Sequence, residues 1–103
     1  MIRVSVLYPA SDGRTFDMDY YLKTHIPLFQ NRIGAAMKDI RVEQGVNGLA
    51  PASAAPFVAM VHATFDSAET FQAAFLPHAA EIQGDVPNYT NIQPVVQISE
   101  VKV

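Results

Sequence analysis

The sequence has 103 residues, half of them apolar, and a formal net charge of −3 at neutral pH. This length suits one domain, residues 1–103, whose modest core would gain from association with another chain. The absence of cysteine excludes disulfides and thiolate metal sites, and the acidic balance lacks the basic footprint of a nucleic-acid-binding protein. Since neither a membrane span nor a secretion signal is found, we expect a cytoplasmic protein without membrane contact.

The first two predicted elements are a strand and a helix. Residues Ile2 to Tyr8 are rich in β-branched side chains that alternate between two faces, and Pro9 to Arg14 contains turn residues. Asp17 is the expected N-cap of the helix, because its carboxylate can accept from free first-turn amides. Apolar residues with helical spacing predict the buried side of this helix: Leu22, Ile26, Phe29, Ile33 and Met37.

Pro27 interrupts this helix close to a histidine. Proline cannot donate to the carbonyl of Lys23 and crowds it, so the helix is expected to kink or restart near His25. Tyr21 and His25 are four residues apart and flank the apolar side of the helix. This spacing places His25 at the margin of the core, beside a carbonyl without its helical partner. Ligand pockets are built from such polar groups at an apolar edge.

Two strands are predicted next. Asp39 to Val46 alternates apolar with polar residues and predicts a strand with one polar face, and a loose connection rich in Ala and Pro follows. Phe57 to Phe65 is apolar on both faces, with Val58 and Met60 on one of them, as in a central strand that is covered twice.

A second helix follows the central strand. Asp66 and Glu69 resemble a capping box at its start, and Pro77 interrupts it as Pro27 interrupts the first helix. Its predicted buried side consists of Ala68, Phe71, Phe75, Ala79 and Ile82.

The end of the chain completes a recognisable order of elements. Gly84 to Asn91 contains turn residues, and Ile92 to Val103 predicts a last strand that begins near Pro94. The order βαββαβ predicts an α+β, ferredoxin-like fold, with a four-stranded antiparallel sheet and both helices on one face. The other face would present apolar side chains, and a second copy of the chain is its expected cover.

Two stretches resemble the EthD family, which lies within the dimeric α+β barrel superfamily. YYLKTHIPL, Tyr20 to Leu28, resembles the family signature of paired tyrosines followed by a histidine close to Pro-Leu. GDVPNYTNIQPVVQISEV resembles its end segment, where an Asn-Tyr-Thr turn leads into a last strand that contains proline. The resemblance runs along the whole chain as one EthD-like domain. It implies a ferredoxin-like monomer that pairs sheet to sheet into a homodimer.

The resemblance implies less about activity. EthD-like proteins are named for a role in degrading an ether. Relatives on this scaffold include cofactor-free monooxygenases of polyketide pathways, dehydratases or decarboxylases of phenolic compounds, and muconolactone isomerase. Fold alone does not choose among them. The first hypothesis for the function is a small cofactor-independent enzyme that acts on a mainly apolar, cyclic or aromatic, oxygen-bearing molecule.

Two residues are predicted to be catalytic. His25 is the first, because imidazole takes and gives protons near neutral pH. In the alternative interpretation its ring bonds the carbonyl freed by Pro27 and only holds the bend. Tyr21 is the second, since its phenol could bond His25 or a substrate oxygen; it could also be a half-buried rim residue. Tyr20 is expected at the surface or in a dimer contact.

Further residues are predicted to bind the substrate. Each also has a plainer interpretation, as a core residue, an interface or exposed histidine, or a dimer cap. Asp85 and Asn88, in the turn before the last strand, are expected to serve the backbone. The predicted binding residues are Leu28, Phe29, His62, Phe75, His78 and Tyr89.

No metal or nucleotide site is predicted. The histidines form no short ligand pair and do not cluster with acidic residues, and there is no Gly-rich phosphate loop. Three hypotheses follow for the function. The first is an enzyme in which His25 moves a proton next to a carbonyl or hydroxyl. The others are a non-catalytic binder of a small apolar molecule and an interaction module whose dimer surface is its whole function.

Overall fold

The computed structural model describes residues 1–103 and has the predicted ferredoxin-like α+β fold. Its strands are β1 (Ile2–Pro9), β2 (Asp39–Gln44), β3 (Phe57–Phe65) and β4 (Val95–Glu100). They form one antiparallel sheet in the order β2-β3-β1-β4, so the two longest strands lie at its centre. β2 ends two residues before its predicted end at Val46. β4 begins next to Pro94, as predicted, and ends before the predicted end at Val103.

The first helical region consists of three consecutive segments. These are α1 (Met18–Tyr20), a π-helical turn (Tyr21–His25) and α2 (Ile26–Ile33). A 3-10 turn of three residues follows α2. Asp17 is the N-cap, as predicted, and its carboxylate accepts from the amide of Tyr20 at 3.0 Å.

The break that was predicted near His25 is the π-helical turn. In this turn the amide of Ile26 donates to the carbonyl of Tyr21, five residues earlier. Pro27 then lies in the first turn of α2, where the missing amide hydrogen costs least. The predicted position of the interruption is therefore confirmed.

The π-helical turn also corrects the predicted buried side of this helix. A π turn adds one residue to the repeat, so the residues before it are rotated relative to α2. Leu22, predicted to be buried, is 49% exposed, whereas Tyr21 is 1% exposed and His25 6% exposed. Ile26 and Ile33, after the turn, are buried as predicted.

The second helical region is also interrupted at its proline, as predicted. It comprises α3 (Ala68–Phe75), a 3-10 turn (Leu76–His78) and α4 (Ala79–Gly84), and a short 3-10 turn (Val86–Asn88) follows. The predicted cap at Asp66 is wrong. The adjacent Ser67 is the N-cap, because its backbone is extended and its hydroxyl accepts from the amide of Thr70 at 3.1 Å. No helix of the chain is both long and apolar enough to cross a bilayer.

The helices cover one face of the sheet, and two groups of side chains form the core on that face. We call the first the tyrosine cluster: Tyr8, Tyr21, Ile26, Ala59, Val61, Tyr89 and Ile92. We call the second the phenylalanine cluster: Val4, Ile33, Ala63, Phe65, Phe71 and Ile82. Val4 and Tyr8 lie on the same face of β1, four residues apart, so the clusters follow one another along the strand over about 13 Å.

The rotation at the π-helical turn predicts unequal costs for two similar truncations. Leu22→Ala should change the free energy of unfolding by less than about 0.5 kcal/mol, because this side chain is half exposed. Ile33→Ala should cost about 2–4 kcal/mol, because Ile33 is 5% exposed within the phenylalanine cluster. Urea denaturation of the two variants measures both values. A cost for Leu22→Ala equal to that for Ile33→Ala would contradict the rotation.

Candidate active site

A cavity of about 280 Å³ lies between the helices and the sheet, at the junction of the two clusters. At one end its wall consists of Tyr8, Tyr21, His25 and Tyr89. At the other end the wall is mainly hydrocarbon and includes Phe29, Phe71, Phe75 and Ile82. Gln83, which follows Ile82 in the chain, also lines the cavity. The cavity therefore has one end that is rich in polar atoms and one end that is mainly hydrocarbon.

His25 is held at the polar end by Asp85, the first residue after α4. Nδ1 of His25 lies 2.9 Å from Oδ2 of Asp85, and the two side chains are only 7% and 12% exposed. The other carboxylate oxygen, Oδ1, accepts from the hydroxyl of Tyr20 at 2.6 Å and from the side-chain amide of Asn88 at 2.9 Å. Three donors from two separate parts of the chain thus converge on one carboxylate.

These contacts determine the charge of Asp85 and the tautomer of His25. Burial by itself raises the pKa of Asp85, but the hydrogen bonds from Tyr20, Asn88 and His25 outweigh it and lower this pKa below its usual value. The ionised carboxylate only accepts hydrogen bonds, so Nδ1 of His25 carries a hydrogen. In the neutral ring Nε2 then holds the lone pair.

Nε2 is the free nitrogen of the ring. The only hydrogen bond of the His25 side chain within the protein is the one from Nδ1. No fully buried side-chain nitrogen or oxygen lacks a partner, so Nε2 is accessible. Since His25 lines the cavity, this nitrogen is available to a bound molecule. The ring is oriented by its other nitrogen, as in sites where histidine acts as a base.

Three tyrosines surround the imidazole at the polar end. The hydroxyls of Tyr8 and Tyr89 are 2.8 Å apart. The ring of Tyr21 stacks on His25 with centroids 5.5 Å apart, and that of Tyr89 lies 4.6 Å from it. Burial raises the pKa of Tyr8, and burial together with the Tyr8 hydroxyl raises the pKa of Tyr21 and of Tyr89 further. The phenols therefore stay protonated at neutral pH and can donate to an oxygen.

The EthD-domain model matches residues 13–93, a range that contains His25, Asp85 and two of the three tyrosines. The chain belongs to the EthD family. No curated protein matches its sequence.

Solved structures of similar proteins include one at substantial identity. An EthD-like protein from Ralstonia eutropha JMP134 is 48% identical, with a TM-score of 0.94 over 99% of this chain and 92% of that chain. An ethyl tert-butyl ether D (EthD) family protein from Bacillus halodurans C-125 is 19% identical, with a TM-score of 0.68 over 99% of both chains. A protein from Arabidopsis thaliana is 14% identical, with a TM-score of 0.70 over 100% of this chain and 97% of that chain. The last two share the fold.

The structure of this EthD-family protein gathers most of the predicted site residues at the cavity. His25, Tyr21, Phe29, Phe75 and Tyr89 all line it.

Three of the predicted binding residues lie elsewhere. His62 is on the opposite face of the sheet, because alternate residues of a strand point to opposite faces and its neighbour Val61 lines the cavity. There its Nδ1 lies 2.7 Å from the hydroxyl of Ser5. Leu28 is half-buried in α2, and His78 is half-buried in the turn before α4; neither lines the cavity.

Sequence reasoning missed two site residues, Asp85 and Tyr8, and also missed the contact of Tyr20 with Asp85. Asp85 was expected to serve the backbone. Its position in the segment that resembles the EthD end segment was a signal that could have marked it as a site residue. Tyr8 was recognised only as part of a strand face, although a buried tyrosine needs a partner for its hydroxyl. Tyr20, which was expected at the surface or in a dimer contact, is half-buried, and its hydroxyl donates to Asp85; this bond is the main cause of the raised pKa of Tyr20.

The lowered pKa of Asp85 makes its contribution to stability depend on pH. Because this pKa is lower in the folded state, the contribution is complete above the ordinary aspartate value of about 4 and is lost as the pH falls through the folded value. Asp85→Asn should therefore lower the free energy of unfolding by about 1–3 kcal/mol at pH 7. The difference from the wild type should shrink below about pH 4.

Denaturation at a series of pH values measures this difference. Asp12→Asn, in the exposed loop after β1, is the matched control and should show little change. A loss for Asp85→Asn that is the same at every pH would contradict an ionised, hydrogen-bonded carboxylate.

Proposed function

We propose that this EthD-family protein is a small cofactor-independent enzyme that moves a proton on a mainly apolar, oxygen-bearing molecule bound in the cavity. The observation that supports this function is the accessible Nε2 of His25, with Asp85 behind Nδ1, at the wall of an apolar cavity. An isomerase, a dehydratase or a monooxygenase of an activated carbon all begin with this step.

In the proposed step Nε2 of His25 acts as the general base. A C–H bond next to a carbonyl breaks, the proton forms an N–H bond with Nε2, and the electron pair moves onto the substrate oxygen. Asp85 orients the ring and stabilises the imidazolium that forms. A phenol of the tyrosine cluster, Tyr21 first, donates to the negative oxygen.

The next event decides the reaction. Return of the proton from His25 to another atom of the substrate gives isomerisation. Transfer of that proton to a hydroxyl on the neighbouring carbon, which then leaves as water, gives dehydration. Dioxygen, which is then the oxidant, bonds to the carbanion and takes the proton from His25, which gives a hydroperoxide. Loss of water from this hydroperoxide leaves a carbonyl that carries one oxygen atom from dioxygen.

A second candidate function is non-catalytic binding of a small apolar molecule. The observation in its favour is that Asp85 also accepts from Tyr20 and Asn88, and so ties the first helical region to the turn after α4. In this case His25 would only stabilise the fold. The two functions share the cavity but differ in what the loss of His25 does.

The base function predicts that the protein accelerates exchange of an acidic carbon-bound hydrogen. The probe is 2-tetralone, a neutral bicyclic ketone, and NMR in D₂O follows the loss of its hydrogens next to the carbonyl. The wild type should exceed the buffer rate. His25→Gln should lower the enzymatic rate by about 10²–10⁴-fold.

Lys23→Gln is the matched control for this experiment, because Lys23 is an exposed neighbour that does not line the cavity. Its exchange rate should equal that of the wild type. Exchange by His25→Gln at the wild-type rate across the pH range would rule out the base function.

We also propose that the protein is a homodimer. On the sheet face opposite the helices, Leu7 and Met60 are half-buried apolar residues. At the edge of the sheet, Val95 of β4 is 52% exposed. Apolar surface of this kind is typical of an interface, and a second copy is the partner that the family resemblance suggests.

Light scattering at low micromolar concentration should give about twice the mass of one chain. Met60→Glu should shift the protein toward monomer without loss of the fold, because it places a charge at the centre of the proposed interface. Circular dichroism checks the fold of the variant. A wild type with the mass of a single chain would contradict the dimer.

A further inference from the structure

The wall of the cavity contains no lysine and no arginine. His25 is the only wall residue that can carry a positive charge, and its Nδ1 faces the Asp85 carboxylate. A protonated His25 and an ionised Asp85 together carry no net charge. An anionic ligand would therefore lose its hydration without gaining a cation, which is costly in an apolar cavity.

Most polar side-chain atoms of the wall lie at one end of the cavity along β1; the other polar side chain in the wall is the exposed Gln83. The hydroxyls of Tyr8, Tyr21 and Tyr89 and the free nitrogen of His25 lie at the tyrosine cluster. Phe71 and Phe75 stack at the other end with centroids 5.2 Å apart, next to Ile82. A ligand that satisfies both ends has its oxygen atoms at one end and hydrocarbon at the other.

The volume limits the size of this ligand. A dry engineered protein cavity of about 150 Å³ holds one benzene molecule. Scaled to about 280 Å³, the same packing accommodates about eleven non-hydrogen atoms. This size fits a bicyclic molecule or a single ring with a short chain, and it is too small for a nucleotide or a thioester of coenzyme A.

We infer that the cavity selects uncharged molecules of about eleven non-hydrogen atoms that carry a single oxygen-bearing end, and that it rejects carboxylates and phosphates. The oxygen lies against His25 and the tyrosines, and the hydrocarbon end lies against Phe75. Phe75 limits the length of the ligand and is a specificity-determining residue. The inference rests on the proposed function only in taking this cavity as the place where the ligand reacts. The preferences for charge and length concern binding alone.

Two isosteric ligands test the selection by charge. 4-Propylbenzamide and 4-propylbenzoate have nearly the same shape, but only the second is an anion at pH 7.5. Calorimetric titration should show that the amide binds at least about 100-fold more tightly than the carboxylate. Equal or tighter binding of the carboxylate, or no binding of either compound at its solubility limit, would overturn the inference.

A series of 4-alkylphenols, from methyl to octyl, tests the orientation. Affinity for the wild type should rise to about the propyl or butyl member and then fall. Phe75→Ala should bind 4-hexylphenol at least about 10-fold more tightly than the wild type, because the added space admits further methylene groups. If this variant does not fold, Phe75→Leu should shift the optimum in the same direction by a smaller amount.

Leu76→Ala is the matched control for Phe75→Ala. Leu76 is the next residue, is 66% exposed and does not line the cavity. The alkyl chain that binds most tightly to Leu76→Ala should therefore have the same length as for the wild type. An unchanged optimum in both Phe75 variants would contradict the assigned orientation.

The binding measurements are independent of turnover. Charge and length preferences without any exchange of 2-tetralone would contradict the base function alone. Exchange that depends on His25 in a protein that binds the carboxylate as tightly as the amide would contradict the selection by charge alone.

Discussion

The convergence of three hydrogen-bond donors on the carboxylate of Asp85 is the interaction on which the polar end of the cavity depends. It joins Tyr20 in α1, His25 in the π-helical turn and Asn88 in the turn after α4. Removing the carboxylate would leave the buried Nδ1 hydrogen of His25 without a partner and would release its ring. The same contact stabilises the fold and fixes which nitrogen of His25 carries the hydrogen, so one side chain serves both the fold and the proposed chemistry.

The π-helical turn determines which side chains reach that carboxylate. Pro27 prevents a regular helix through this region, and the added residue turns Tyr21 and His25 toward the cavity while Leu22 faces solvent. A regular helix would have brought the apolar Leu22 inward, as its spacing from Ile26 predicts. π turns often occur at functional sites for this reason, since they change the direction of a few residues without moving the rest of the helix.

This local rotation explains why the sequence predicts the fold better than the site. Alternation along β1 and β3 and the apolar sides of the helices depend on regular geometry, so the βαββαβ order follows from the residues. Leu22 was assigned to the core because helical spacing assumes a constant rotation per residue. Asp85 was missed because turn chemistry explains an aspartate locally, whereas its partner His25 lies 60 residues earlier in the chain. His25 and Tyr21 were found because the proline and the family signature mark them.

The position of the cavity's opening indicates how a ligand acquires its orientation. Val96 of β4 lines the cavity and yet is 57% exposed, so the cavity reaches the surface at this strand. Val96 pairs with Val6, midway along β1 between Val4 and Tyr8, and the opening therefore lies between the two ends. A ligand that enters there has equal access to both. Its orientation is then set by the wall, because an oxygen placed against Phe71 and Phe75 would lose its hydrogen bonds with water and gain none.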